Sequence, residues 1–138
     1  MESLTRNQQF ALASAVVYFG AGAAGFVVTG FDDFASDTDE KLLILGLNPL
    51  HNLVHFVLGA AWLVGARSAA SAKLVNIALG VGLLVAFVLG VAGGATFLNI
   101  DHAAEPDNYL HLVYGLLSVF VGARIADDVA PAPAMGAA

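Results

Sequence analysis

Two histidines in matching sequence contexts are the residues best suited to chemistry. His55 and His111 are 56 positions apart, and each stands in the pattern N-x-x-H-x-x-x-G. The other repeated positions are Asn52 with Asn108 and Gly59 with Gly115. Imidazole nitrogens bind haem iron and first-row transition metals. The pattern therefore puts candidate ligands on two separate segments of the chain.

In a structural interpretation, these polar residues stabilise the fold and need no ligand. Asn52, His55, Asn108 and His111 would hydrogen-bond across a pseudo-twofold axis or cap neighbouring helix ends. In lipid, contacts of this kind contribute on the order of 0.6–2 kcal/mol each. Asn52 and Asn108 are then a structural polar pair that fixes how the helices meet.

A second interpretation makes His55 and His111 the axial ligands of haem or of a chlorophyll-type pigment. Gly59 and Gly115 each follow a histidine by one helical turn. With no side chain at these positions, there would be space for a flat macrocycle between the helices. The two glycines are therefore part of the predicted cofactor site.

A third interpretation is a divalent metal site built from His51, His55, His111 and an acidic side chain. His51 and His55 are four residues apart and share a helix face. The residue after His51 is Asn52, which cannot act as the general base of an H-E-x-x-H hydrolase. Proton or ion permeation through the same polar residues is a further alternative.

The composition predicts the elements that must position these residues. The chain of 138 residues is 59% hydrophobic and only 12% charged, with a mean hydropathy of +0.81. Soluble domains have about a quarter of their residues charged, and a bilayer-spanning helix needs about 20 apolar residues. We therefore predict an all-α integral membrane protein with four transmembrane helices, at residues 8–30, 49–67, 73–100 and 107–126.

The predicted domain covers residues 1–126, and an Ala/Pro-rich disordered tail covers 127–138. Within the domain, the helices form two duplicated hairpins, because residues 23–25 also match residues 92–94. Small residues recur every four positions along the third helix, and such stripes let membrane helices pack closely or meet a partner protein. The members of this helix-packing stripe are Gly82, Ala86, Gly90 and Gly94.

Basic residues predict the orientation of the helices. Four of the five lie on one side of the predicted bundle, and only Lys41 lies on the other. The positive-inside rule then puts both termini in the cytoplasm and leaves the acidic loops outside. The four cytoplasmic basic residues are Arg6, Arg67, Lys73 and Arg124.

Several classes of function are excluded or disfavoured. The chain has no cysteine, which excludes disulfides, thiolate nucleophiles and cysteine-ligated metal clusters. It also has no Ser/His/Asp set, phosphate-binding loop or basic patch for nucleic acid. We therefore expect a protein that is not an enzyme.

The two histidine motifs resemble a known family. Residues 48–59 read N-P-L-H-N-L-V-H-F-V-L-G, and residues 107–115 read D-N-Y-L-H-L-V-Y-G. Together they are similar to small bacterial four-helix membrane proteins catalogued as a domain of unknown function and common in actinobacteria. The resemblance covers residues 7–126 and implies the four-helix topology and a bacterial cell membrane, but no activity.

From the sequence we predict a non-enzymatic protein that contacts membrane lipids and serves as an accessory or scaffolding subunit of a larger membrane complex, or as a homo-oligomer. The alternative is a haem- or pigment-binding protein, and the third hypothesis is ion or proton permeation.

Overall fold

The computed structural model describes residues 3–100 and 102–126 and has four α-helices. They are α1 (Arg6–Thr29), α2 (Pro49–Gly65), α3 (Ala69–Val91) and α4 (Pro106–Arg124). The helical fold class is thus confirmed. A two-stranded antiparallel hairpin, β1 (Lys41–Leu42) with β2 (Leu45–Gly46), lies between α1 and α2, and a 3-10 helix covers Thr96–Leu98. The predicted tail, residues 127–138, lies outside the described residues.

Side-chain caps begin the first three helices. Thr5 and Ser68 form capping boxes with Gln8 and Ser71, and Asn48 caps α2 ahead of Pro49, as expected for an Asn-Pro helix start. The cap at Ser68 explains why α3 begins four residues before its predicted start.

The predicted end of the third helix at residue 100 is wrong, because α3 ends at Val91. Gly93 follows with a positive φ of 75°, a conformation that glycine adopts without steric cost. The chain then turns into the 3-10 helix, and Ala95 bridges to Ile100. The residues that follow α3 are also mostly apolar, so composition alone did not indicate the turn.

The helices pack as two tight pairs. The largest contacts are those of α1 with α2 and of α3 with α4, whereas α1 and α4 touch only slightly. In the α3/α4 pair, a Cβ added at Gly80 would lie 2.9 Å from the Gly115 carbonyl oxygen, and one at Gly115 would lie 2.9 Å from that of Gly80. Small residues thus allow the close backbone approach that holds membrane helices together.

Only part of the predicted small-residue stripe packs inside the bundle. Gly90 is buried against the side chain of Asn108, but Gly82 has open space where a Cβ would be, and Gly94 lies beyond the end of α3. The close contact on α3 instead uses Gly80, on a different face from Gly82. The stripe was read from spacing alone, which does not say which face of a helix meets its neighbour.

Asn76 joins all four helices at the end of the bundle where α1 and α3 begin, which we name the terminal end. Its side-chain amide donates to the carbonyl and to Oδ1 of Asn7, at 3.1 and 3.0 Å. Its Oδ1 accepts from the Trp62 indole at 3.1 Å, and its carbonyl accepts from the Ser118 hydroxyl at 2.7 Å. Asn76, Asn7 and Ser118 are fully buried.

Large apolar side chains cover the outside of the bundle. Exposed examples lie on every helix: Val16 and Val27 on α1, Val57 and Leu63 on α2, Leu74 and Val88 on α3, and Val113 and Phe120 on α4. Two helices, α1 and α3, are long and apolar enough to cross a membrane, and α2 is a shorter apolar helix.

We expect Gly90→Ala to destabilise the protein by about 1–3 kcal/mol, the usual cost of overpacking, because the new Cβ would overlap the Asn108 amide. Gly82→Ala is the matched control on the same helix, where the open space leaves only the gain in helix propensity, up to about 1 kcal/mol. Thermal unfolding in detergent, followed by circular dichroism, measures both. Equal midpoints for the two variants would contradict this packing.

Candidate metal centre

Two histidines and an aspartate meet at the other end of the bundle, where α2 and α4 begin, which we name the loop end. The Oδ2 atom of Asp107 lies 3.5 Å from Nε2 of His51 and 3.5 Å from Nε2 of His111. One ligand atom from each of the three residues lies within 4.8 Å of the others, and all three side chains are buried. We call these three residues the His/Asp cluster.

Helix starts position the cluster. His51 lies in the first turn of α2, and its backbone N–H donates to the Asn48 side chain at 2.9 Å. Asp107 lies in the first turn of α4, where the helix dipole favours a negative charge. His111 follows Asp107 by four residues, so both share a helix face.

Two asparagines hold the loops over the cluster. Asn48 donates to the carbonyls of Ser36 and Phe97, at 3.0 and 2.9 Å, and so links the two loops of this end. Asn99, in a left-handed conformation, accepts from the Thr38 backbone N–H at 2.7 Å and donates to the Thr38 carbonyl at 3.1 Å. These bonds fix the loops to each other and to the start of α2.

His55 lies beside the cluster. Its ring stacks on that of His51, with centroids 4.7 Å apart, and meets the Tyr18 ring edge-on at 5.4 Å. Of the predicted metal set, His51 and His111 both lie beside Asp107, whereas His55 stacks on His51 and is not one of the three clustered residues. The remaining histidine, His102, pairs with Glu105 at 3.0 Å in the loop before α4.

The loop end holds buried polar atoms that lack a hydrogen-bond partner among the described residues. They are Nδ1 of His51, His55 and His111, Oδ2 of Asp107, and Oδ1 of Asn52 and Asn108. Buried polar groups are nearly always paired in native proteins, and exceptions point to an ion or a water. Four of these six atoms belong to the cluster and its stacked neighbour.

The glycines do not leave the space that the tetrapyrrole hypothesis requires. A Cβ at Gly59 would lie 3.2 Å from the Phe19 ring and 3.3 Å from the Ala15 carbonyl, so α1 already fills this position. Gly115 is filled by α3 in the same way, with Leu84 atoms at 3.0 Å. Both glycines serve helix packing, and a macrocycle between them does not fit.

Asn52 and Asn108 each bond within their own helical hairpin. The Asn52 amide donates to the Thr29 hydroxyl at 2.9 Å, and the Asn108 amide donates to the His102 carbonyl at 3.0 Å. Each asparagine packs against a glycine of its partner helix, Asn52 against Gly25 and Asn108 against Gly90. They thus join α2 and α4 to the ends of neighbouring segments, and neither amide donates to the other asparagine.

Two cavities reach the histidines from opposite sides. The lateral cavity, about 230 Å³, lies between α1 and α4 beneath the β-hairpin and is lined by Asp107, His111 and His55. A second cavity, about 180 Å³, lies between α2 and α3 and is lined by His51, His55 and His111. Apolar side chains form most of the remaining walls of both.

Asp107 is the functional residue that sequence reasoning missed as a specific ligand. It was one of several acids assigned to the same side of the protein. The spacing D-N-x-x-H contained the signal, because an aspartate four residues before a histidine shares its helix face. It also aligns with His51 in the repeated motif.

Comparison with known proteins identifies the family of this chain but no individual relative. The model of a family described as a domain of unknown function, DUF4383, matches residues 8–124. This match confirms the resemblance to a family of unknown function. No curated protein and no solved structure matches the chain.

We expect Asn48→Ala to destabilise the protein by about 3 kcal/mol, from one helix cap and two further hydrogen bonds at about 1 kcal/mol each. Asn48→Ser keeps a capping hydroxyl, so it should lose about 2 kcal/mol. Chemical unfolding in detergent measures both. If Asn48→Ala stayed within about 0.5 kcal/mol of the parent protein, the linking role of Asn48 would be wrong.

Proposed function

We propose that this chain, which belongs to the DUF4383 family, is a multi-pass protein of the bacterial cell membrane. We propose further that it binds a divalent transition-metal ion at its loop end. The observation that carries the proposal is the buried cluster of His51, Asp107 and His111. No catalytic step is part of it, in keeping with the expectation that the chain is not an enzyme.

The distribution of polar and apolar groups supports four membrane spans. The most deeply buried side chains include asparagines, serines and a histidine, while large apolar side chains are exposed on all four helices. This arrangement suits a lipid environment, where polar groups must be satisfied inside the protein. With 17 and 19 residues, α2 and α4 are about 26 and 28 Å long, close to the thickness of a bilayer core.

The orientation and the duplication are also part of the proposal. The positions of the basic residues favour both termini in the cytoplasm, which leaves the loop end and its metal site outside. The similar packing of Asn52 on Gly25 and of Asn108 on Gly90 supports two related hairpins, although it pairs Gly25 with Gly90, whereas the match of residues 23–25 with 92–94 predicted Gly94 as the counterpart.

The geometry of the cluster suits a transition metal. Ligand atoms that bind zinc at about 2.0–2.2 Å with tetrahedral angles are roughly 3.3–3.5 Å apart. The two separations of 3.5 Å from Asp107 Oδ2 are close to this value, and the three ligand atoms all lie within 4.8 Å of one another, so the two imidazoles would move closer together when a metal ion binds. Two imidazoles and a carboxylate suit zinc, cobalt, nickel or iron, and three ligands leave a fourth position open.

The expectation of an accessory or scaffolding subunit, or of a homo-oligomer, stays a prediction. The apolar exterior that supports membrane insertion suits lipid and protein neighbours equally. Ion or proton permeation likewise stays a prediction.

We expect the purified protein to bind one Co²⁺ or Zn²⁺ ion per chain. Asp107→Asn and His111→Ala should each weaken metal binding by more than about 100-fold. Removing a residue that only hydrogen-bonds to a metal ligand already lowers the metal affinity about 10–100-fold, and loss of a ligand itself should cost more. His102→Ala is the matched control, since His102 lies outside the cluster. Calorimetric titration measures the affinities. Equal losses in all three variants, or binding that none of them alters, would contradict the proposed site.

We expect single cysteines to report the orientation, and the chain has none of its own. A membrane-impermeant maleimide should label Asp37→Cys, in the first loop of the loop end, in intact spheroplasts. It should label Ala70→Cys, at the terminal end, only after the membrane is opened. The reverse pattern would put the metal site in the cytoplasm, and labelling of both in intact spheroplasts would contradict the four spans.

A further inference from the structure

We propose that the open position of the metal site takes the carboxylate of a fatty acid, which enters from the bilayer between α1 and α4. This inference rests on the proposed metal site and names the class of its ligand. The bond that forms is a coordination bond from a carboxylate oxygen to the metal ion, and no covalent bond breaks.

The lateral cavity connects the cluster to the outside of the bundle. Asp107 and His111 line it, and so does His55. Its other walls are mostly apolar and include Val17, Ala21, Leu42, Leu45 and Leu110. Because α1 and α4 touch only slightly, this seam is where a chain could pass between helices into the surrounding lipid.

The roof of the cavity favours entry from lipid. Three leucines form this roof. Leu42 and Leu45 lie in the two strands of the β-hairpin, and Leu47 follows the second strand. Exposed Leu43 and Ile44 form the tip of the same hairpin. An apolar cover over a buried polar site disfavours a free hydrated anion and favours an amphiphile whose tail contacts the same side chains.

Charge favours an anionic head group. A divalent ion bound by neutral His51, neutral His111 and the Asp107 carboxylate keeps one net positive charge in a buried site. Uncompensated buried charge is costly, and a second carboxylate neutralises it. A neutral alcohol would leave that charge uncompensated, so it should not replace the ligand already present at this position.

His55 supplies a hydrogen-bond partner for the fatty-acid carboxylate oxygen that does not bind the metal ion. Its Nδ1 atom is buried, lacks a hydrogen-bond partner among the described residues and belongs to a ring that lines the lateral cavity. With Nδ1 protonated in the neutral ring, it donates to an oxygen held in this space. This gives His55 a positioning role beside the metal.

The size of the cavity fits a head group and the first part of a chain. A volume of about 230 Å³ is more than ten times the roughly 10–15 Å³ that a cavity needs to hold one water molecule, so a carboxylate group and several methylenes have room in it. The rest of a longer chain would continue along the seam. The ligand is thus a single-chain carboxylate.

The test uses the full-length protein in nanodiscs, loaded with Co²⁺, whose visible absorption reports its ligands. Decanoate is titrated and compared with decanol, which has the chain without the charge, and with acetate, which has the head group without the chain. Ala21→Phe fills the lateral cavity, and Ala86→Phe is the matched control in the second cavity. The cobalt content is measured after each titration.

We expect decanoate to shift the cobalt spectrum at a concentration at least about tenfold below that of acetate, because its buried methylenes add affinity. Decanol should leave the spectrum unchanged, and Ala21→Phe but not Ala86→Phe should weaken the decanoate effect. Acetate as effective as decanoate, a response to decanol, or equal effects of the two variants would overturn the inference while the metal site stands. Absence of cobalt binding would overturn the metal site and this inference together.

Discussion

The interior of this bundle depends on one constraint: with apolar side chains outside, buried polar groups must satisfy one another. Asn76 shows the constraint met, because its amide and carbonyl bond to residues of the three other helices. In a membrane, no water is present to replace such bonds if a helix shifts. The network at the terminal end therefore fixes the register of the whole bundle, and the tight helix pairs follow from glycines that let the backbones approach.

The loop end departs from this rule. There, Asn48 and Asn99 satisfy the loop backbones, yet the cluster below them keeps buried atoms without partners. Within residues 3–100 and 102–126, the buried side-chain polar atoms that lack a partner all lie at this end. A cation bound there would be held by Asp107 Oδ2 and the Nε2 atoms of His51 and His111, which satisfies the carboxylate and leaves the Nδ1 atoms as donors to groups around the site.

The sequence predicted what periodicity and composition control, namely the helical fold and the start of α2 at Asn48-Pro49. It paired His55 with His111, whereas in the structure His51 and His111 are the histidines that contact Asp107. It did not predict contacts that depend on three-dimensional packing. Gly59 and Gly115 looked like space beside the histidines, but neighbouring helices fill both positions. The end of α3 was missed because the residues after Gly93 are as apolar as a helix. The spacing of Asp107 from His111 put both on one helix face, but the contact of Asp107 with His51 joins residues 56 positions apart and could not be read from the sequence.

X-ray absorption at the zinc edge tests the central claim most directly. Zinc-loaded protein in nanodiscs should show two imidazole nitrogens and at least one carboxylate oxygen at about 2.0–2.2 Å. The imidazole scattering should fall to one ring in His51→Ala. A first shell made only of oxygen atoms, or a spectrum that His51→Ala leaves unchanged, would mean that the cluster of His51, Asp107 and His111 is not the metal site.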